Sequence, residues 1–114
     1  MPANDLSGGI QLTVRHVVLF TLHSGVSRDD PRVVAAADIA REHARQISEI
    51  NEWWTGFDES GRDIAADFIV MGLFDDYAAV ARYIKHPHHN LGVKAWQEIA
   101  DWVIIDVTED AARH

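Results

Sequence analysis

A chain of 114 residues, 47% of them hydrophobic, fits a single domain with a real core and speaks against disorder. Its 18 acidic and 10 basic residues give a formal charge of −8, and without a basic run it lacks the patch that nucleic acid or an anionic membrane surface requires. The absence of cysteine removes disulfides, thiolate catalysis, thiolate zinc and iron–sulfur clusters, and it fits a cytoplasmic location.

Met1 to Gly9 is polar and Gly-rich, with no apolar signal-peptide core, and is read as a flexible N-terminal tail. The domain itself is expected over 10–109, with 110–114 as a C-terminal tail. The first strand is predicted over Ile10 to Leu22. His16, Val18, Phe20 and Leu22 share one face, while Val17, Leu19 and Thr21 share the other. Both faces are largely apolar, which predicts a strand covered on both sides.

Gly25 breaks this pattern. Asp30 is a good N-cap and Pro31 suits the first helical position, so a helix is predicted from there to about Ile50. Its apolar stripe is Val33, Ala37, Ala40, Ala44 and Ile47. A second strand is predicted over Asn51 to Phe57, a turn around Gly61, and a third strand over Ile64 to Phe74. Asp75 or Asp76 caps a second helix, with Tyr77, Val80, Ala81 and Ile84 inward. The segment KHPHHN interrupts before a third helix over roughly Leu91 to Asp101, and Trp102 to Val107 forms the last strand. The order β-α-β-β-α-β with an extra short helix is the ferredoxin-like pattern, an α+β fold with an antiparallel four-stranded sheet.

Such a sheet carries its helices on one face. Here at least three strands are apolar on both faces, so the second face needs a cover. Four strands of ~5 residues span about 320 Å² of plane, and their side chains reach the size of the largest patch usual on a monomer. Pairing with a second copy through the sheet face removes that patch.

Three fragments carry a family resemblance. RHVVLF over Arg15 to Phe20, LHSGVS over Leu22 to Ser27, and VARYIKHPHH over Val80 to His89 are similar to the pattern of the stress-responsive A/B-barrel (Dabb) family, as is the strand end Phe74–Asp75. The resemblance spans about residues 14 to 109. It implies a dimeric α/β barrel of two ferredoxin-like sheets. Most members have no assigned activity, but one plant member is a polyketide cyclase that closes a linear tetraketide by an aldol reaction. Its catalytic Tyr and His match Tyr83 and His89, and a pocket His on its first strand matches His16. A second pocket His falls near Phe68 here, so the same substrate does not follow.

An aldol closure needs a base beside a carbonyl and a donor for the developing enolate oxygen. A His and a phenol suit those tasks. The expectation is therefore His89 as base and Tyr83 as donor, with His16, Phe68 and His86 as substrate contacts. A plain structural reading stands beside it: Pro87 stops a helix, His86 sits by its last carbonyls, and Tyr83 is a core ring. His86, His88 and His89 fall within four residues, but neighbouring imidazoles on a turn do not all converge and no carboxylate follows at ligand spacing, so no metal and no cofactor is expected. Trp53, Trp54, Trp96 and Trp102 read as core and dimer packing. The acidic residues, Asp106 among them, read as caps and solvated loops.

Three functions are consistent with these residues: a small-molecule-binding domain with proton-transfer chemistry, a non-catalytic stress-response homodimer, and, by fold analogy alone, a cofactor-free monooxygenase or haem-binding barrel.

Overall fold

The computed structural model describes residues 12–108. Ile10 and Gln11 of the expected first strand, and both expected tails, lie outside them. The elements run β1 (Val14–Leu22), α1 (Pro31–Gln46), β2 (Ile50–Phe57), β3 (Phe68–Phe74), α2 (Tyr77–Lys85), α3 (Pro87–Gln97) and β4 (Ala100–Thr108). The sheet order is β2-β3-β1-β4, with every neighbouring pair antiparallel. This is the ferredoxin-like α+β fold, with four strands and three helices. Among the described residues, no helix is long and apolar enough to cross a membrane.

The N-caps form where their chemistry dictates. The Asp30 side chain accepts from the Arg32 N–H, with Pro31 opening α1, and Asp76 accepts from the Ala79 N–H at the start of α2. Helix α1 stops at Gln46, short of Ile50. Ile47 leaves the helix in an extended conformation and buries its side chain, while its N–H still bonds the His43 carbonyl. Strand β3 begins at Phe68 rather than Ile64. The preceding residues make a turn, and Asp67 instead ties its N–H to the Phe20 carbonyl and its carboxylate to the Leu22 N–H.

Helix α3 begins four residues before Leu91, inside the segment expected to interrupt. The His86 Nδ1 accepts from the His88 N–H at 3.0 Å, and Pro87 follows at the first helical position. His86 thereby ends α2 and starts α3. Imidazole is an uncommon cap, which is why the sequence HPHHN does not advertise a helix start.

All three helices lie over one sheet face. Val14, His16, Val18 and Phe20 of β1 and Phe68, Val70, Gly72 and Phe74 of β3 point into it and are buried. In α1 the buried stripe is Val33, Ala36, Ala37, Ala40 and His43, so His43 takes the place expected for Ala44, which is exposed. In α2 the inward residues are Ala79, Val80 and Tyr83, whereas Tyr77 and Ile84 are exposed. Trp53 crosses the inner face and donates its Nε1–H to the Ala40 carbonyl at 3.0 Å. Gly72 permits that crossing: a Cβ there would stand 2.7 Å from the Trp53 ring.

The opposite face has no helix. Leu19, Trp54, Val103, Ile105 and Val107 stand on it exposed, at 52% for Trp54, 67% for Val103 and 58% for Ile105. Both faces of the sheet are apolar, as the strand pattern predicts.

Candidate functional site

A cavity of about 210 Å³ lies between the inner sheet face and the helices. His16, Val18 and Phe20 of β1 and Val70 of β3 form its floor, Trp102 and Ile104 of β4 one side, and Tyr83, His89, Gly92 and Trp96 of α2 and α3 its roof. Ile84 and Ile104 line it and are also exposed, which puts its opening between the end of α2 and β4.

Antiparallel pairing sets His16 directly opposite Asp106 on β4. The His16 Nδ1 lies 2.5 Å from Asp106 Oδ1, and both side chains are largely buried. A carboxylate can only accept, so Nδ1 is the donor and the lone pair of a neutral imidazole falls on Nε2. That Nε2 is buried with no hydrogen-bond partner. The Tyr83 ring sits edge-on between His16, at 5.3 Å, and His89, at 4.6 Å between centroids. The Nδ1 of His89 and the Nε1 of Trp96 are likewise buried without a partner. Buried polar atoms are nearly always satisfied, yet all three exceptions belong to side chains lining one cavity.

On the far wall, His43 of α1 places its Nδ1 2.7 Å from the Nδ1 of His88. One of the two nitrogens must donate and the other accept. Burial, then the proximity of His88, His89 and His86, pushes the His43 imidazole down to about 3. Burial lowers His89 as well; a backbone contact with Ile84 offsets part of this, and His16 and His86 add to the lowering. Burial first, and the Asp106 carboxylate second, raise Tyr83 above the ordinary phenol range. At neutral pH the lining therefore holds uncharged His43 and His89 rings and an intact Tyr83 hydroxyl.

His16, Tyr83 and His89 come together at the cavity. Phe68 does not line the cavity; it packs behind it, 5.1 Å from the Trp96 ring. His86 is turned away into its capping role. Asp106 corrects an expectation: it is no cap or loop residue but stands in β4 against His16. His43 and Trp96 line the cavity as well, a place the sequence did not single out for either. Among the described residues, no group of three or more His, Asp or Glu side chains is arranged to hold a metal ion.

The model of the stress responsive A/B barrel domain matches residues 14–109. The chain belongs to this family. An uncharacterised protein of Streptomyces coelicolor is 44% identical over 93 residues, which cover 82% of this chain and 96% of that one. A dimeric ferredoxin-like protein of unknown function from Thermobifida fusca superposes with a TM-score of 0.76 at 21% identity, over 87% of this chain and 92% of the other. A hydroxynitrile lyase from Passiflora edulis superposes with a TM-score of 0.75 at 16% identity, over 89% and 96%. Those two likenesses concern the fold, which the A/B-barrel family chain shares with them.

Proposed function

We propose that the cavity binds a small organic molecule carrying a carbonyl group and moves a proton at the carbon beside it. The observation that carries this reading is that three buried polar atoms without a partner, His16 Nε2, His89 Nδ1 and Trp96 Nε1, all belong to side chains lining one cavity. Leaving such a group unsatisfied costs about 1–3 kcal/mol, and a ligand with matching groups recovers that cost. The geometry favours exchanging the roles expected of the two histidines. His16 has its tautomer set by Asp106 and an Nε2 without a partner, which suits a base, since a held partner fixes both the orientation and the nitrogen that takes the proton. The Tyr83 hydroxyl then donates to the carbonyl oxygen as negative charge develops there. His89, neutral and beside Tyr83, contacts a second polar group of the substrate. Deuterium uptake by the methyl groups of acetone in D2O, followed by proton NMR, tests the chemistry. Exchange above the buffer rate, cut about 100-fold by His16→Gln and by Tyr83→Phe, is expected; wild-type exchange at the buffer rate ends the proposal.

The outer sheet face supports a second statement about the whole molecule. We infer that two copies pair through it, because Trp54, Val103 and Ile105 form an exposed apolar surface that water penalises. A monomer in sedimentation velocity at micromolar concentration overturns the pairing.

A further inference from the structure

The lining of the cavity contains no Asp, Glu, Lys or Arg side chain. Burial keeps His43 and His89 uncharged, and the Tyr83 hydroxyl stays intact. Directly behind the lining stands a carboxylate, Asp106, 2.5 Å from the His16 ring and 14% exposed. Its field reaches the cavity: after burial, Asp106 is the second cause that raises Tyr83, a lining residue. With His16 neutral, as a base must be, the site as a whole is negative.

The proton transfer proposed above does not remove that charge. The substrate C–H bond breaks, the proton goes to His16, and the electron pair moves to the carbonyl oxygen. His16 then becomes an imidazolium paired with Asp106, and the negative charge stands on the enolate oxygen instead. The lining meets that oxygen with a hydroxyl and no cation. An anionic substrate would add a like charge in a low-dielectric space, where repulsion is strong. A neutral substrate leaves the imbalance in place. A substrate with its own positive charge brings the site to neutrality both before and after the transfer.

The walls and the size say which cation fits. Phe20, Tyr83, Trp96 and Trp102 line the cavity. Phe20 and Trp96 cover each other at 4.2 Å, whereas Trp102 meets Phe20 at 5.5 Å and a 53° tilt, and is half-buried. Aromatic faces attract cations, and quaternary ammonium groups are recognised in this way. An apolar cavity of about 150 Å³ admits benzene, so 210 Å³ holds a short molecule with a carbonyl and one ammonium group. Lys85, next to the rim residue Ile84, is exposed and screened by water, and the chain as a whole carries −8. We infer that the cavity selects small carbonyl compounds bearing a cationic ammonium group, and that the Asp106 carboxylate behind His16 sets this preference. This deepens the function proposed above and rests on its binding half.

Three methyl ketones of equal heavy-atom number separate the charge classes at pH 7 and low salt: acetonyltrimethylammonium, its neutral isostere 4,4-dimethylpentan-2-one, and levulinate. Affinities are read by saturation-transfer NMR in D2O, and deuterium uptake beside the carbonyl is followed in the same samples. In an apolar hollow without a field the isostere would bind best, since it alone gives up no ionic hydration. The ammonium ketone is expected instead to bind at least about tenfold more tightly than the isostere, with levulinate weaker than both. The isostere should displace the ammonium ketone competitively. Asp106→Asn should cut the preference for the ammonium ketone about tenfold and move the isostere less than about threefold. The wild-type ranking and the displacement need no variant, so they stand even if Asp106→Asn misfolds. Isostere or levulinate binding as tightly as the ammonium ketone overturns the cationic class while leaving a carbonyl site. An ammonium ketone that the isostere does not displace sits on the acidic exterior, which overturns the class as well. A preference that survives in folded Asp106→Asn overturns Asp106 as its source. The expected ranking with deuterium uptake at the buffer rate supports the selection and ends the proton transfer alone. Failure of all three probes to bind removes the site on which both readings rest.

Discussion

The two faces of this sheet are both apolar, yet they solve different problems. The inner face is covered by helices and interrupted by a hollow where polar atoms lack partners. The outer face is uncovered, and its central residues carry no chemistry. A hollow with orphaned donors and acceptors fits a ligand that supplies the matching groups. A broad apolar surface without them fits another protein surface, which supplies area. The same alternation of side chains thus puts the proposed binding site on one side and the inferred association surface on the other.

The largest expected effect breaks the outer half of this comparison. Val103→Asp with Ile105→Asp places two unpaired carboxylates in the inferred dimer contact. An uncompensated buried charge costs about 3 kcal/mol or more, so the dissociation constant should rise over a hundredfold in analytical ultracentrifugation. Ligand binding by the separated copies would show that the inner face works alone.

Next comes the contrast within the inner face. Phe74 is fully buried in the packed part of the core, under α2. Phe74→Ala should cost about 3–5 kcal/mol in chemical denaturation. Ile104, exposed at the cavity mouth, should cost under about 1 kcal/mol when changed to Ala. Equal costs would mean that the hollow is not a gap in the packing.

Acid sharpens the comparison more gently. The His43 ring has an ordinary value of 6.5 and is held at about 3 in the folded chain. Above 6.5 both states are neutral there and the stability is fully present. As the pH falls below 6.5, the unfolded chain binds a proton that the fold excludes, and stability declines until about pH 3. At pH 5 the loss is up to about 2 kcal/mol, and His89 acts in the same direction. Denaturation midpoints measured from pH 7 to 5 should fall, and His43→Gln should flatten that slope.

The smallest effect concerns the carboxylate behind the cavity. In a Tyr77→Phe background, Tyr83 is the only tyrosine of the chain. Adding Asp106→Asn should let it ionise at lower pH in ultraviolet titration, because one of the two causes that raise it is removed. Burial, the larger cause, remains. An unchanged titration would separate Asp106 from the cavity electrostatically.

The strands and their two apolar faces were legible because a period of two exposes each face directly in the residue order. The site was legible where short fragments carried it, in His16, Tyr83 and His89. What escaped was long-range. Asp106 looks like one acidic residue among many until β4 pairs with β1 and sets it opposite His16. His43 interrupts an alanine stripe, and nothing local separates a buried histidine there from a solvated one. Trp96 reads correctly as core, but whether an indole N–H finds an acceptor depends on three-dimensional packing. Helix α3 was entered late because an imidazole does the work usually left to Ser, Thr, Asp or Asn.

Strand β4 turns Trp102, Ile104 and Asp106 to the inner face, and Val103, Ile105 and Val107 to the outer face. Neighbouring residues in this one strand therefore stand on different surfaces of the molecule. Under the two proposals, point substitutions are expected to change ligand choice and self-association separately, residue by residue. A single-codon insertion or deletion within it cannot: every side chain beyond the lesion changes sides, and Asp106 loses His16 in the same event. This strand is thus free to drift by replacement and closed to change in length.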